Sequence, residues 1–258
     1  FTSNSGTVSF RSALAGNNNN LTVSGAASIE GAVTNIAVLS ITGTANIGGD
    51  ITSSGTQTYG GAVNLTTNVT LTTSSDVITF DSTVNSFGSA RNLTIATGGN
   101  STEINFDGVV GGSAAVGAIT ITGALDLNAA ITSATSIAVS GASNIGADVT
   151  TSGTQTYSGA ITLSGAARTL EGSTVQTTTI NGAQNLTITG NLDLDGVIGG
   201  SSAIGVFSVS GTSNLGANVT TTGTQTYSGA VTLSTNTTLT SSNDNFTFSS
   251  TVDSDGST

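Results

Sequence analysis

Apolar and polar residues alternate along most of the chain. In Asn191–Ile198, NLDLDGVI, Leu192 and Leu194 fall on one side and Asp193 and Asp195 on the other. Ala124–Ile131, ALDLNAAI, repeats the arrangement with Leu125 and Leu127 against Asp126 and Asn128. A period of two sends one row into a core and the other outward, which predicts β-strand. No window carries a period of 3.6, so no helix is predicted. Glycine follows many of these strands, at Gly25, Gly43, Gly123, Gly141, Gly190 and Gly211, and predicts corners built on positive φ. Short strands are predicted to end on an aliphatic residue at Leu14, Val33, Ile51, Val84, Val110, Ile131, Val149, Ile180, Ile198, Val219 and Val252. These markers mostly recur at the spacing of one short solenoid coil, about 18–21 positions. The steps from Ile51 to Val84 and from Val219 to Val252 are longer and are read as holding an extra segment that ends at Val63 or Val231. The step from Val84 to Val110 is also long, and the one from Val149 to Ile180 holds Ile161 inside it.

Internal repeats explain the rhythm. The string GTQTY occurs at Gly55–Tyr59, Gly153–Tyr157 and Gly223–Tyr227, and the 35 residues of Gly55–Ser89 match Gly223–Ser257 without a gap at 24 positions. A second motif, DGVVGGSAAVG at Asp107–Gly117, returns as DGVIGGSSAIG at Asp195–Gly205. From Val109 to Gly153 is 44 residues, whereas from Val197 to Gly223, between the same two motifs, is 26. The excess of 18 matches Ile119–Ser136, which has no counterpart in the shorter copy. A β-sandwich cannot lose such a piece without orphaning strands, but a solenoid can drop one coil and restack its neighbours. The expectation is an all-β parallel β-helix, or β-solenoid, of about 18–21 residues per coil and roughly 13 coils, running as one segment over residues 1–258. At about 4.8 Å per coil that is a rod on the order of 60 Å long. Like residues would stack over like, with aliphatic ladders inside and Thr or Asn ladders outside.

Composition supports strands over disorder. Thr (49), Ser (37), Gly (35) and Asn (23) make up more than half of the 258 residues, yet 36% are hydrophobic and only 7% charged. Thr, Val and Ile suit a pleated surface, and the absence of Pro suits an uninterrupted ladder. His, Lys, Cys, Met and Trp are also absent. Imidazole- and thiolate-based catalysis, zinc sites and a Ser-His-Asp triad are therefore excluded. With three Arg and a net charge of −11 there is no basic patch for nucleic acid or anionic lipid. No apolar run approaches the roughly 20 residues of a membrane helix, so no membrane insertion is expected.

Phe1–Leu14, FTSNSGTVSFRSAL, aligns without a gap with Leu239–Val252, LTSSNDNFTFSSTV, and Leu71–Val84 is a third copy. The first and last segments thus share a repeat phase, and no atypical capping repeat is evident. This predicts a window of a longer array, or a unit that associates head to tail.

Few residues invite chemistry. Asp193 and Asp195 have the spacing of a carboxylate pair, as a glycosidase requires, but Asn128 in the matching segment marks the position as simply polar. Asp253-Ser254-Asp255-Gly256 resembles the opening of a calcium loop and lacks its remaining ligands. Gly111-Gly112 and Gly199-Gly200 lack any phosphate-loop context and read as corners. Tyr59, Tyr157 and Tyr227 would either form a sugar-stacking stripe or, the reading the repeat favours, recur as packing residues whose hydroxyls reach solvent or a turn. Arg11 and Arg91 are isolated, and Arg168 is expected to pair with Glu171 at the surface. Nine Asn-x-Ser/Thr sequons, Asn64-Leu65-Thr66 and Asn185-Leu186-Thr187 among them, are ascribed to chance in so Asn- and Thr-rich a chain. No catalytic, cofactor-binding or metal-ligating residue is assigned, and no enzymatic activity is expected.

The GTQTYSGAVTL and FTFSSTV strings and the Thr/Gly-rich coils resemble repeats of filamentous-haemagglutinin-like adhesins and related autotransporter-type passengers of bacteria. The resemblance implies a right-handed winding, export to the cell surface, and a role in adhesion, biofilm or extracellular fibres. It points to a structural fibre, sheath or filament segment, or alternatively to an adhesin stalk or glycan-binding face. It identifies no binding residue here.

Overall fold

The computed structural model describes residues 1–242 and 244–256; positions 243, 257 and 258 of the 1–258 segment read from sequence lie outside the described residues. The chain divides into two compact units, Phe1–Gly141 and Ala142–Thr258. Each is a parallel β-solenoid, and together they hold about 13 turns. No helix occurs among the described residues.

In each unit three columns of short strands stack, and register shows which side chains lie over which. In the first unit one column runs Val23, Ile41, Tyr59, Phe80, Phe106, Leu127, each member one turn above the last. A second carries Phe10, Ile29, Ile47 and Leu65, and a third carries Ile51, Leu71, Ile95, Ile121 and Val139. In the second unit the columns are Val175, Leu192, Ser213, Val231, Val252; Leu170, Ile188, Val209, Tyr227, Phe248; and Ile161, Ile180, Ile198, Val219, Leu239. The local reason is the alternation: Ala45–Ile47, Val63–Leu65 and Ile145 with Ser143 are buried at both ends, with the middle residue half-buried. Each fully buried Val, Leu or Ile stabilises by about 1.5–3 kcal/mol, and the column repeats that gain at every turn.

Register bears directly on the sequence reading. Ile119 pairs with Ile137 and Ile121 with Val139, so Ile119–Ser136 is one whole coil. The aliphatic markers, however, begin strands rather than end them: Val33–Ile41, Ile51–Ser53, Val84–Ser86 and Ile131–Val139 all open on one. The branched residue re-enters the ladder just after a corner. The long step from Ile51 to Val84 is likewise no insertion. The residue over Ile51 is Leu71, whereas Val84 lies over Val63 in another column.

The predicted glycine corners divide into two kinds. Gly25, Gly123 and Gly190 have φ of 125°, 153° and 128°. Gly43, Gly141 and Gly211 do not, yet each sits one turn above one of those three and donates its N–H to that glycine's carbonyl at 3.0, 3.0 and 2.9 Å. A Cβ on Gly43 would meet the Gly25 carbonyl carbon at 2.5 Å. The lower glycine is required by backbone conformation, the upper by proximity.

Repeated motifs do not return to one column. Phe10 and Phe80, equivalent by sequence, stand in different columns of the first unit. In the second unit Gln155 underlies Val175, while Gln225 lies over Phe207 in another column. The stretch of chain between these two copies is thus not a whole number of turns.

Candidate functional site

The most elaborate polar constructions are the GTQTY corners. Gln57, Gln155 and Gln225 are fully buried, which without partners would cost several kcal/mol each. Gln57 Nε2 donates to Thr72 O at 2.9 Å, Ser53 Oγ at 3.1 Å and Ile51 O at 3.4 Å. Gln155 Nε2 donates to Glu171 O at 2.7 Å and Val149 O at 3.0 Å, and Gln225 Nε2 to Thr240 O at 2.8 Å. On the other side each Gln Oε1 accepts from the tyrosine next but one along the chain: Tyr59 at 2.8 Å, Tyr157 at 3.1 Å and Tyr227 at 3.0 Å. Ser53, Thr151 and Thr221 close the same corner by donating to the carbonyls of Gly55, Gly153 and Gly223. The amide therefore binds carbonyls of its own turn and of the turn above.

These contacts make the tyrosines packing residues whose hydroxyls meet a buried amide, not solvent. They are at most 1% exposed, and burial drives their phenols upward from the ordinary value of 10.0. They offer no ring to a sugar. Tyr59, Phe80 and Phe106 stack at 5.1 and 5.0 Å, and Tyr227 stacks on Phe248 at 5.2 Å.

A second construction explains the abundance of Asn. The side-chain oxygens of Asp50, Asn68, Asn92, Asp148, Asn185 and Asn218 accept the backbone N–H of Thr70, Asn92, Ala118, Thr169, Val206 and Thr238, one turn above, at 2.7–2.9 Å. After such a residue come an inward aliphatic residue and an outward Thr, as in Asn68-Val69-Thr70. Sequons at Asn68, Asn92, Asn185 and Asn218 thus follow from coil construction rather than from chance. The two GG corners are held similarly. Asn85 Oδ1 accepts from Ser113 and Ala114 at 2.9 and 3.2 Å, and Asn181 Oδ1 from Ser201 and Ser202 at the same distances. Neither device was foreseen from the sequence.

Asp193 is a rung in an outward ladder, accepting from Asn214 at 2.8 Å and Gln176 at 3.4 Å, and Gln176 accepts from Thr156 at 3.0 Å. Asp195 is exposed at the next corner, beside a shallow depression that Thr156, Gln176 and Thr178 also line. Arg168 does not spend its guanidinium on Glu171: its donors go to the carbonyls of Ser164, Ala167 and Ile145 at 2.7–3.3 Å. Glu171 instead accepts from Thr150 at 3.5 Å. Ile145 O also accepts from Ser164 N at 3.1 Å, so the multidentate guanidinium adds a donor there while reaching the carbonyls of Ser164 and Ala167 at the same corner. Asp253 lies in register with Thr232, and among the described residues no three His, Cys, Asp or Glu side chains come together to hold a metal ion.

Among the described residues six buried side-chain atoms have no partner, Ser143 Oγ, Thr177 Oγ1 and Ser213 Oγ among them. At the last described turn of the second unit Phe246, Phe248 and Val252 are 38–45% exposed. No protein-family model, curated protein or solved structure matches the chain.

Proposed function

We propose that the chain is a structural segment of an extracellular fibre, sheath or filament on a bacterial surface, and that it is not an enzyme. The observation that carries this reading is the placement of the repeats. Copies of one motif face different ways within a single unit, so they cannot line up a binding stripe, yet each builds the same interior corner. Repetition here serves winding. The Gln amides and the corner Asn oxygens are spent on joining one turn to the next, and the Tyr side chains are buried against the Gln.

In this reading each unit winds right-handed, the hand that parallel crossovers nearly always take. The apolar row of Phe246, Phe248 and Val252 is covered by a further coil, from the same chain or from a second copy. The protein acts at the cell surface without cofactor, nucleic acid or membrane insertion. The alternative is an adhesin stalk. Its glycan-binding face would have to use outward hydroxyls such as the ladder of Thr22, Ser40, Thr58 and Thr79, since the tyrosines point inward.

Sedimentation and electron microscopy of the purified chain at rising concentration test the filament. End-to-end species that disappear on Phe248→Asp support it; a strict monomer at every concentration contradicts it. Retention on a glycan array by the monomer would favour the stalk with a binding face.

A further inference from the structure

Of the 23 Asn residues, Asn181 alone precedes glycine. It closes the short strand Ile180–Asn181 and pairs below with Thr162. From above, the loop of the next turn lowers two backbone donors onto its side-chain oxygen, Ser201 N at 2.9 Å and Ser202 N at 3.2 Å. Gly182 leaves the ladder at φ 134°, and its N–H points to Ser202 O at 3.3 Å.

Two backbone N–H groups converging on one carbonyl oxygen form the arrangement that stabilises negative charge when a nucleophile adds to the carbonyl carbon. The carbon here is Asn181 Cγ, and the adjacent nucleophile is the Gly182 nitrogen, with no side chain to obstruct it. We propose that Asn181 is a site of self-promoted deamidation in the folded protein. The Gly182 nitrogen forms a bond to Cγ while the C=O electron pair moves onto Oδ1, between the two donors. Collapse breaks the bond from Cγ to the side-chain nitrogen, which leaves as ammonia, carrying the proton given up by Gly182. Water then opens the five-membered imide at either carbonyl and yields aspartate or isoaspartate.

The chain supplies its own control. Asn85 is cradled identically, by Ser113 and Ala114 at 2.9 and 3.2 Å, but its successor is Ser86, and the two are 7% and 4% exposed. The consequences of the two products differ. Aspartate keeps both acceptors and strengthens them by charge. Isoaspartate lengthens the backbone by one carbon and breaks the register of Ile180–Asn181.

The test is peptide mass mapping over time of the folded chain in mildly alkaline buffer, beside the same chain unfolded in guanidinium. Asn181 should convert on the order of tenfold faster in the folded chain than in the unfolded one, because the donors are pre-placed only there. Asn85 should stay an amide in the folded chain. Conversion of Asn181 at an equal or lower rate in the folded chain would overturn the proposal, since the loop would then shield the amide rather than activate it.

Discussion

The Tyr59 hydroxyl donates to Gln57 Oε1 at 2.8 Å, and both residues are fully buried. The same pair recurs as Gln155–Tyr157 and Gln225–Tyr227. An inward Gln at a corner is stable only because every polar atom on it finds a partner, and that makes it the most sensitive point in its turn. Gln155→Ala would take the amide donor from the carbonyl of Val149 and the acceptor from the hydroxyl of Tyr157, and would leave the Glu171 carbonyl only Thr151 Oγ1 at 3.4 Å. At about 1–3 kcal/mol for each buried group left unsatisfied, the loss should reach about 3 kcal/mol or more. Chemical denaturation of the variant measures it, and a loss below about 1 kcal/mol would show that the corner does not depend on the amide.

The tyrosines also set an alkaline limit. Their folded pKa values lie above the ordinary 10.0 because burial disfavours the phenolate. The folded chain therefore holds these protons more tightly than the unfolded one, so the contribution is complete below pH ~10 and is lost as pH rises beyond it. Each phenol would remove up to about 1.4 kcal/mol per pH unit in that range. Tyrosinate absorbance and the β-sheet circular dichroism should change together in an alkaline titration. Ionisation near the ordinary value with the fold intact would contradict the burial.

Ser213 Oγ is buried without a partner, and Ala27 and Ala45 occupy the matching place in similar segments of the first unit. Removing a buried hydroxyl that makes no bond relieves its desolvation cost, so Ser213→Ala should stabilise by about 1 kcal/mol. A lowered melting temperature would mean that the hydroxyl is satisfied.

Gly43 and Gly99 separate proximity from conformation. A Cβ at Gly43 meets the Gly25 backbone at 2.5 Å, whereas nothing lies within 4 Å at Gly99. Gly43→Ala should cost about 1–3 kcal/mol or more through overpacking, and Gly99→Ala should be nearly neutral. Equal melting temperatures for the two variants would count against the stacked-corner account.

Much of this architecture was legible because a solenoid repeats its instructions. Alternation in NLDLDGVI and the unmatched stretch at Ile119–Ser136 were enough for parallel coils and for the length of one of them. The column of each strand was not legible. Ile51 and Val84 look like successive markers, but only register shows that Leu71 stands over Ile51. Side-chain roles were the harder part. Nothing in the string GTQTY says that Gln turns inward, since a lone Gln in a strand is ordinarily a solvated residue. The Asn staples were hidden for a related reason: their partners lie a full turn away along the chain, at a distance set by coil length rather than by any local motif. Arg168 misled because Glu171 is its nearest charge in sequence, while its donors find corner carbonyls, Ser164 O above all, in space.

Each turn is held by the turns beside it, so that a whole turn is separable and part of one is not. Deleting Ile119–Ser136 brings Ile137 over Leu93 in place of Ile119, and Val139 over Ile95 in place of Ile121. That variant should remain folded, with the β-sheet spectrum retained and a single cooperative melt. Deleting only Ile119–Leu127 breaks the register and should leave the first unit unfolded. Loss of the fold in the whole-turn deletion, or equal tolerance of both, would contradict the account.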